Sequence, residues 1–324
     1  MLIEGIKQNN FIIVGRAGID FFTDAGVALE DAERMTVDLG GSSANIGAGI
    51  CKLGGQAALV TRVSNDSIGS YCKRRLEHYG VDTKYVSNVG GELRNSLAVY
   101  ESVVENHRNV IYRNGAADFE MSAEDVEAVN YSDYGALITA GTVFAAEPSR
   151  AATFRSFELA KAAGLPIIFD VDYRPYSWPS PQVASDVLSR AAEQCDMIVG
   201  NDEEFGFMAG DYAMGLDKAR ALSQGTCDIV IYKMGEEGAI TFVDGKEICT
   251  GIYPVAALKP TGAGDSFMAG LVTSIAAGHD LETAILRGSA CASVTVSRPG
   301  CAPAMADTQT LETFLADHPG PTSV

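Results

Sequence analysis

The sequence contains few histidines, and its cysteines and histidines form no pattern typical of a metal site. Its 324 residues include four scattered histidines and seven cysteines, with no C-x-x-C pair. We therefore expect no zinc or iron site with histidine ligands. Six of the seven cysteines lie in apolar segments, which is typical of buried free thiols in a reducing environment. This pattern predicts a cytoplasmic protein.

Basic residues and long apolar runs are also scarce. The chain holds 24 Lys and Arg residues against 42 Asp and Glu residues, for a net charge of −18. Nucleic acids and anionic membranes are unfavourable partners for such a chain, because both are bound mainly by clustered Lys and Arg. No apolar run approaches the ~20 residues that span a bilayer, and the N-terminus lacks the pattern of a secretory signal. We expect a soluble protein in which individual arginines bind any anionic substrate.

Two common nucleotide-binding motifs are absent. No G-x-x-x-x-G-K-[ST] sequence occurs, which excludes an ordinary P-loop. No G-x-G-x-x-G follows the first predicted strand, which argues against an oxidoreductase that uses a nicotinamide cofactor.

Short β-rich runs alternate with helical patterns along most of the chain. This alternation predicts an α/β fold with a mostly parallel central sheet and helices on both faces. Two intervals, 21–40 and 93–118, contain extended runs without an intervening helix, and we expect them to form antiparallel strands of a small appended sheet. Residues 1–324 would then be a single domain. The runs predicted as strands are 11–15, 57–63, 136–141, 166–172, 196–201 and 228–235, and helices are predicted at 149–164 and 181–194.

The segment KPTGAGDSFMAG combines a glycine-rich turn with a carboxylate at the start of a helix. Apolar residues recur every four positions after the turn, so Asp265 falls in the first helical turn. The amides of Gly262, Ala263 and Gly264 can converge on an anion. A carboxylate beside such a site is well placed to orient and deprotonate a hydroxyl that attacks the anion. The alternative is that Asp265 only stabilises the helix N-terminus.

Several motifs together resemble the ribokinase-like (PfkB) carbohydrate kinases. Residues 259–270 resemble the C-terminal signature of that family, and LGGSSANIGAGICKLGG at 39–55 is similar to its N-terminal signature. GNDEE at 200–204 matches an N-x-x-E motif, YKMGEEGA at 232–239 matches a K-x-G-x-x-G segment, and residues 292–305 resemble the border of the adenine pocket. The resemblance covers nearly the whole chain and implies an ATP-dependent kinase with a ribokinase-like fold and a small β-sheet lid.

The resemblance implies roles for residues on the nucleotide side of the site. Asp265 would be the general base, and the amides of Gly262 to Gly264 would hold the transferred phosphoryl group. Asn201 and Glu204 would bind the Mg²⁺ of MgATP through water, and Lys233, Gly235 and Gly238 would contact the nucleotide. The alternative for Asn201 and Glu204 is a helix N-cap after a strand, and the glycines could form only a β-turn.

On the sugar side, the resemblance assigns three residues near the first strand. Asp20 would accept hydrogen bonds from sugar hydroxyls, while Gly41 and Asn45 match sugar contacts in a G-G-x-x-x-N pattern. Glycine lets the backbone approach a ligand, and the asparagine amide can both donate to and accept from a diol. Ser42 or Ser43 could also act as the cap of a helix that starts here.

Arginines predict the charge of the substrate. Arg174, in FDVDYRPYSW, resembles the arginine of a D-x-N-x-R segment in family members that act on sugar acids and in some fructokinases, with Asp172 in place of the usual Asn. Arg113 follows the second appended strand, and Arg16 is a third, weaker candidate. If they point inward, Arg113 and Arg174 can bind a carboxylate. The alternative is that each is a surface arginine paired with a nearby acid.

These features lead us to expect phosphorylation of the primary hydroxyl of a keto-deoxy sugar acid, as in family members that act on 5-dehydro-2-deoxygluconate. The alternatives are its isomer 2-dehydro-3-deoxygluconate, a neutral sugar such as fructose, or a sugar-acid sensor without catalytic activity. Lys259 stands where the family signature usually begins with aspartate, which argues against the activation by monovalent cations seen in some relatives. The resemblance also implies a homodimer formed through the lid.

Overall fold

The computed structural model describes residues 2–101, 108–318 and 320–322, which form two sheets and the helices around them. Strands and helices are numbered in chain order. The larger sheet consists of β1 (Asn10–Val14), β4 (Gln56–Ser64), β5 (Val86–Val89), β8 (Ala136–Ala140), β9 (Ile167–Asp170), β10 (Met197–Asn201), β11 (Ile229–Lys233), β12 (Ala239–Val243) and β13 (Lys246–Thr250). The smaller sheet consists of β2 (Gly18–Thr23), β3 (Met35–Gly40), β6 (Leu97–Tyr100) and β7 (Asn109–Tyr112).

Helices connect the strands of the larger sheet. Their bounds are α1 (Leu2–Ile6), α2 (Ser42–Lys52), α3 (Ser67–His78), α4 (Ala123–Glu127), α5 (Ser149–Ala162), α6 (Pro181–Ala192), α7 (Asp202–Ala209), α8 (Gly215–Ser223), α9 (Ala263–Ala276), α10 (Leu281–Val296) and α11 (Thr308–Asp317). Local signals agree with several of these bounds. Helix α6 has Pro181 in its first turn and Ser180 as its N-cap, whose side chain accepts a hydrogen bond from the Val183 amide.

The larger sheet is mostly parallel and is covered on both faces. Its strand order is β13-β12-β11-β10-β9-β8-β1-β4-β5, and all neighbouring pairs are parallel except those at the β11-β12-β13 end. In β1, Phe11 and Ile13 pack in one hydrophobic cluster with residues of α2 and α9. Ile12 and Val14 face the other cluster, which includes residues of α5 and α6. Alternate side chains are buried on both sides, as is typical of a parallel sheet, and the predicted fold class is confirmed.

The antiparallel end of the larger sheet was not predicted. Strands β12 and β13 form a hairpin in which Val243 pairs with Lys246. Asp244 and Gly245 connect them with positive φ angles of 50° and 69°. An Asp-Gly pair between two extended runs is a strong hairpin signal, so the sequence contained this information.

The smaller sheet has the order β3-β2-β6-β7. The β2-β3 and β6-β7 pairs are antiparallel, but β2 and β6 are parallel. The expectation of antiparallel strands alone was therefore wrong for the central pair. Strands β2 and β6 are far apart in sequence, so no hairpin imposes an antiparallel arrangement on them. The segment 102–107, part of the lid predicted at 93–118, lies outside the described residues.

The two faces of the smaller sheet differ in composition. One face carries Asp20, Ala98 and Tyr100, which are buried. The other carries a row of paired apolar residues, Val37–Phe21–Val99–Val110, in direct register across all four strands. Val37 and Val110 at the ends of this row are exposed. In the parts of the chain that the structure covers, no helix has the length and apolar character needed to cross a membrane.

Candidate active site

A cleft of about 690 Å³ lies between the carboxyl edge of the larger sheet and the inner face of the smaller sheet. Ligands of open α/β sheets commonly bind at this edge, where the loops after neighbouring strands meet. All fourteen predicted site residues line the cleft, namely Asp20, Gly41, Asn45, Arg113, Arg174, Asn201, Glu204, Lys233, Gly235, Gly238, Gly262, Ala263, Gly264 and Asp265. The fold therefore brings together segments that are more than two hundred residues apart in the chain.

The N-terminus of α9 forms the floor of the cleft. Gly262 is its N-cap, with a left-handed φ of +83°, and no side chain of the described residues caps the first turn. A Cβ at this position would lie 3.2 Å from Cys301 Sγ, so both the backbone conformation and the space favour glycine. The Ala263 amide makes a long hydrogen bond of 3.4 Å to the Pro260 carbonyl. An uncapped helix N-terminus that opens into a cleft is a site for an anion.

Asp265 lies in the first turn of α9, inside the cleft. Its Oδ2 accepts a hydrogen bond of 2.9 Å from Asn45 Nδ2, which joins α9 to α2. Burial raises the pKa of Asp265 to about 7, and the negative charge of Asp172 adds to the shift. A carboxylate with a pKa near neutrality accepts a proton more readily than an ordinary aspartate, and this is the property needed in a general base.

Gly41 at the start of α2 and Asp20 on β2 lie at the same end of the cleft. Gly41 is the N-cap of this helix, with a φ of +98°, and neither Ser42 nor Ser43 caps it. A Cβ on Gly41 would lie 2.5 Å from the Arg16 carbonyl oxygen, so only glycine fits. Asp20 is buried nearby on β2, and its Oδ1 has no hydrogen-bond partner among the described residues. Burial raises the pKa of Asp20 to about 7.

Asn201 and Glu204 form a capping box at the start of α7. The Glu204 amide donates to Asn201 Oδ1 and the Asn201 amide donates to Glu204 Oε2, each at 2.8 Å. The capping role considered for these residues is thus observed. Burial raises the pKa of Glu204. Its Oε1 also accepts a hydrogen bond of 3.3 Å from the Tyr173 amide, so the carboxylate lies at the wall of the cleft with some of its lone pairs used.

Lys233 at the end of β11 and Asp170 at the end of β9 lie near the anion site, with β10 between their strands. A Cβ on Gly264 would lie 3.5 Å from Lys233 Nζ, which places this ammonium beside the first turn of α9. Asp170, at the end of β9, is buried in the cleft wall. Burial raises its pKa well above the usual range, although the Lys233 charge opposes the shift. Sequence reasoning missed Asp170, although it is the first acid of the D-x-D-Y-R segment.

Arg113 and Arg174 both line the cleft, and each is already paired with a carboxylate. Arg113 Nη2 bonds Asp118 Oδ2 at 2.5 Å and its Nη1 donates to the Thr142 carbonyl. Arg174 Nη2 lies 2.8 Å from Asp172 Oδ1. The alternative considered above was that each arginine is a surface residue paired with a nearby acid. Both arginines are paired with acids as in that alternative, but Arg113 is buried rather than at the surface. Their predicted role in substrate binding stays a prediction.

Lys259 is a buried lysine just before the glycine turn. Its side chain is 1% exposed, and its Nζ donates to the carbonyls of Thr261 and Thr295 at 2.7 and 3.3 Å. Burial lowers its pKa, while the acids Asp265 and Asp20 oppose the shift. The ammonium thus connects the turn before α9 to the end of α10.

No group of three or more His, Cys, Asp and Glu side chains within residues 2–101, 108–318 and 320–322 is arranged to hold a metal ion. Asp170, Asp172, Glu204 and Asp265 are among the carboxylates that line the cleft.

Comparison with known proteins identifies the family. Residues 9–308 match the pfkB family of carbohydrate kinases. The 5-dehydro-2-deoxygluconokinase of Photobacterium profundum is 34% identical over 310 residues, covering 94% of each chain. The protein of the same name from Geobacillus kaustophilus is 32% identical over 318 residues, covering 96% of this chain and 95% of the relative.

A solved structure gives the same result for the fold. The fructokinase of Xylella fastidiosa, determined with bound ATP, superposes with a TM-score of 0.84 at 20% identity and covers 95% of this chain and 98% of its own. The match of the family to most of the chain agrees with the glycine turn, the buried acid and the cleft. The chain belongs to the pfkB family of carbohydrate kinases and is an enzyme that phosphorylates a sugar.

Proposed function

We propose that the protein transfers the γ-phosphoryl group of ATP to the primary hydroxyl of 5-dehydro-2-deoxygluconate, a keto-deoxy sugar acid, and thereby acts in myo-inositol breakdown. The observation that carries the proposal is Asp265, a buried carboxylate with a pKa of about 7 beside the uncapped N-terminus of α9. The choice of substrate is supported by the names of the relatives that are 34% and 32% identical over nearly the whole chain.

The proposed reaction is a single in-line transfer. Asp265 accepts the proton of the primary hydroxyl as the hydroxyl oxygen bonds to the γ-phosphorus, and the bond from that phosphorus to the bridging oxygen breaks to release ADP. The amides of Gly262, Ala263 and Gly264 hold the transferred group. Because the transition state of phosphoryl transfer is loose, positioning matters more than the strength of the base. Lys233, close to Gly264, adds positive charge where the phosphate oxygens lie.

ATP and Mg²⁺ are the proposed cosubstrate and metal. ATP is supported by its presence in the fructokinase that shares this fold. Lys233, Gly235 and Gly238 would contact the nucleotide, and Asn201 and Glu204 would hold Mg²⁺ through water, since the capping box already uses part of their hydrogen-bonding capacity. When bound, the metal would neutralise charge on the phosphates.

The sugar acid is proposed to bind at the other end of the cleft. Asp20 and Asn45 each have a buried oxygen without a hydrogen-bond partner among the described residues. Hydroxyl groups of a sugar would satisfy both atoms, which offsets the cost of leaving them unpaired. Gly41 lets the ligand approach the backbone, and Arg113 and Arg174 complete the wall of the pocket.

We further propose that the small sheet, built from parts of 21–40 and 93–118 in the single domain 1–324, closes over the substrate as a lid and excludes water.

The substrate proposal predicts a clear preference in a panel of acceptors. ADP release from MgATP would be measured with 5-dehydro-2-deoxygluconate, 2-dehydro-3-deoxygluconate, fructose and ribose. We expect kcat/KM for 5-dehydro-2-deoxygluconate to exceed that for fructose and ribose by at least about 100-fold, since a site built to pair a substrate group rejects analogues that lack it. The preference over the isomeric acid, which carries the same carboxylate, should be smaller. A higher value for the isomeric acid or for fructose would assign the enzyme to that substrate instead. A sugar acid that bound without any turnover would indicate a sensor.

We also propose that the protein is a cytoplasmic homodimer formed through the outer face of the small sheet. The row Val37–Phe21–Val99–Val110 presents apolar side chains in register, with Met35 and Tyr112 exposed beside it. Contiguous exposed apolar surface of this kind is typical of protein interfaces. The free cysteines agree with a reducing compartment.

The dimer proposal predicts that Val37→Asp produces a monomer. A charge within an apolar interface must be desolvated on association without a partner, so the dissociation constant should increase at least about 100-fold. Light scattering coupled to size-exclusion chromatography would measure the mass. Val37→Thr, which has nearly the same shape, should remain dimeric. A wild-type protein that is monomeric at micromolar concentration, or an aspartate variant that stays dimeric, would contradict the proposed interface.

A further inference from the structure

Three arginines line the cleft, and they differ in how their charge is neutralised. Arg113 is bonded to Asp118 and to a main-chain carbonyl. Arg174 is bonded to Asp172, donates to the Tyr173 carbonyl at 2.8 Å, and has Glu204 at 3.8 Å. Each of these two guanidinium groups therefore already has a carboxylate partner.

Arg16, directly after β1, is the exception. It is 7% exposed and lines the cleft near Asp20, Gly41 and Asn45. Its Nη1 donates to Ser96 Oγ at 2.8 Å, and its Nε is buried without a hydrogen-bond partner among the described residues. No carboxylate in the described part of the chain lies within 4 Å of its nitrogens, in contrast to Arg113 and Arg174. A buried guanidinium with one neutral partner is unusual, because an unpaired buried charge is destabilising.

The position of Arg16 is fixed by the backbone around it. Its carbonyl oxygen accepts a hydrogen bond of 3.2 Å from the Ala44 amide in the first turn of α2. The same carbonyl faces Gly41 so closely that no side chain fits there. Ser96, from the segment before β6, holds the guanidinium from the other side. Arg16 is therefore preorganised rather than a mobile surface side chain, and a preorganised group binds its ligand at lower entropic cost.

We propose that Arg16 is the residue that binds the carboxylate of the substrate and so determines the preference for a sugar acid. The inference rests on the proposed function and deepens it. The Arg16 guanidinium has its Nε free, and a carboxylate that lay against this edge would form charge-assisted hydrogen bonds and neutralise the buried charge. Arg113 and Arg174, already neutralised by Asp118 and Asp172, then act as fixed walls of the pocket.

A competing role for Arg16 is purely structural. Its charge would balance the acids Asp20, Asp118 and Asp172, whose combined electrostatic effect outweighs burial and raises the pKa of Arg16. In that role, loss of the charge would affect every substrate equally, because the damage would be to the shape of the pocket. In the proposed role, the loss depends on whether the substrate carries a carboxylate. The two roles are thus separable by substrate charge.

The test compares two acceptors in the wild type and in Arg16→Gln. One acceptor is 5-dehydro-2-deoxygluconate, and the other is the neutral ketose in which a hydroxymethyl group replaces the carboxylate. For the variant we expect kcat/KM with the acid to fall about 100-fold, mainly through KM, while the value with the neutral ketose changes less than about fivefold. Arg16→Lys, which keeps the charge without the planar fork, should lie between the two. Arg155→Gln removes a surface arginine from α5 and serves as the matched control.

Binding of the sugar acid, measured by calorimetry without ATP, separates this inference from the proposed function. If the wild type binds the acid and Arg16→Gln loses that binding, the inference holds even if the phosphorylated substrate proves to be another sugar acid. Equal losses for the acid and the neutral ketose would overturn it, as would a loss in Arg113→Gln or Arg174→Gln that is specific for the acid while Arg16→Gln behaves as wild type. Absence of any binding of sugar acids to the folded wild type would also overturn it.

Discussion

Replacement of Asp265 by asparagine is expected to lower kcat about 1000-fold and to change the affinity for MgATP less than about threefold. The amide retains the size of the side chain and can still pair with Asn45, which now donates to the carboxylate at 2.9 Å. It cannot accept the proton of the attacking hydroxyl, and a positioned general base typically contributes factors of 10² to 10⁴. Steady-state ADP release gives kcat, and calorimetry with MgATP gives the affinity.

The pH dependence provides a second measure of the same role. Because burial raises the pKa of Asp265 to about 7, the carboxylate is protonated at lower pH and kcat/KM should fall at least about tenfold per pH unit below that value. Burial also raises the pKa of Asp20 to about 7, so Asp265→Asn should keep only the limb that Asp20 causes and show a less steep fall. Asp280→Asn changes the N-cap of the adjacent helix α10 to a residue that caps equally well, so it should be neutral. Near-normal turnover of Asp265→Asn would remove Asp265 from catalysis.

Replacement of Lys259 by methionine is expected to lower kcat about 100-fold and the melting temperature by several degrees. Methionine fills a similar volume but leaves the Thr261 carbonyl without its donor and the Thr295 carbonyl with only the Arg298 amide at 3.3 Å. An unsatisfied buried carbonyl costs about 1–3 kcal/mol. The turn that leads into Gly262 would shift, and small displacements of groups that position a reacting phosphate are costly. Activity and thermal unfolding are measured on the same preparations.

The response to salt distinguishes a positioning role from general destabilisation. With an ammonium fixed between Thr261 and Thr295, the wild type should be equally active in potassium and choline chloride. If Lys259 serves as a built-in cation, potassium should partly restore Lys259→Met, by about fivefold or more. Lys246→Met, on the exposed strand β13, is the matched control. Dependence of the wild type on potassium, or full activity of Lys259→Met, would contradict this role.

Much of the fold follows from local patterns in the sequence. The strand predicted at 11–15 is shifted by one residue from Asn10–Val14, and the strand predicted at 196–201 begins one residue before Met197–Asn201. These strands are buried on both faces, so their apolar runs are unmistakable. The parallel pairing of β2 with β6 could not be predicted, because it depends on how distant segments meet rather than on any local signal. The β12–β13 hairpin was predictable from Asp244 and Gly245 but was missed.

The candidate site also contains features that could be predicted from local sequence and features that could not. The glycine turn, Asp265 and the acids of α7 are recognisable because their chemistry depends on residues that are close in sequence. The carboxylate partner of each arginine cannot be recognised from the sequence, because it depends on which residues are neighbours in the folded protein. Arg113 is paired with Asp118, Arg174 with Asp172, and Arg16 with no carboxylate in the described chain. The raised pKa of Asp265 likewise arises from burial by segments from all parts of the chain.

Because side chains alternate along β2, this one strand supplies both an acid to the cleft and an aromatic ring to the outer apolar row. Asp20 lines the cleft and Phe22 lies on the same face of the strand, whereas Phe21 between them belongs to the outer apolar row. A single-residue insertion or deletion before Asp20 would exchange these faces, so that an aromatic ring would enter the sugar pocket and a carboxylate would reach the outer surface. Insertions and deletions of a single residue in this strand should therefore not be tolerated. The loop 24–34 beyond the strand can vary in length without moving either face.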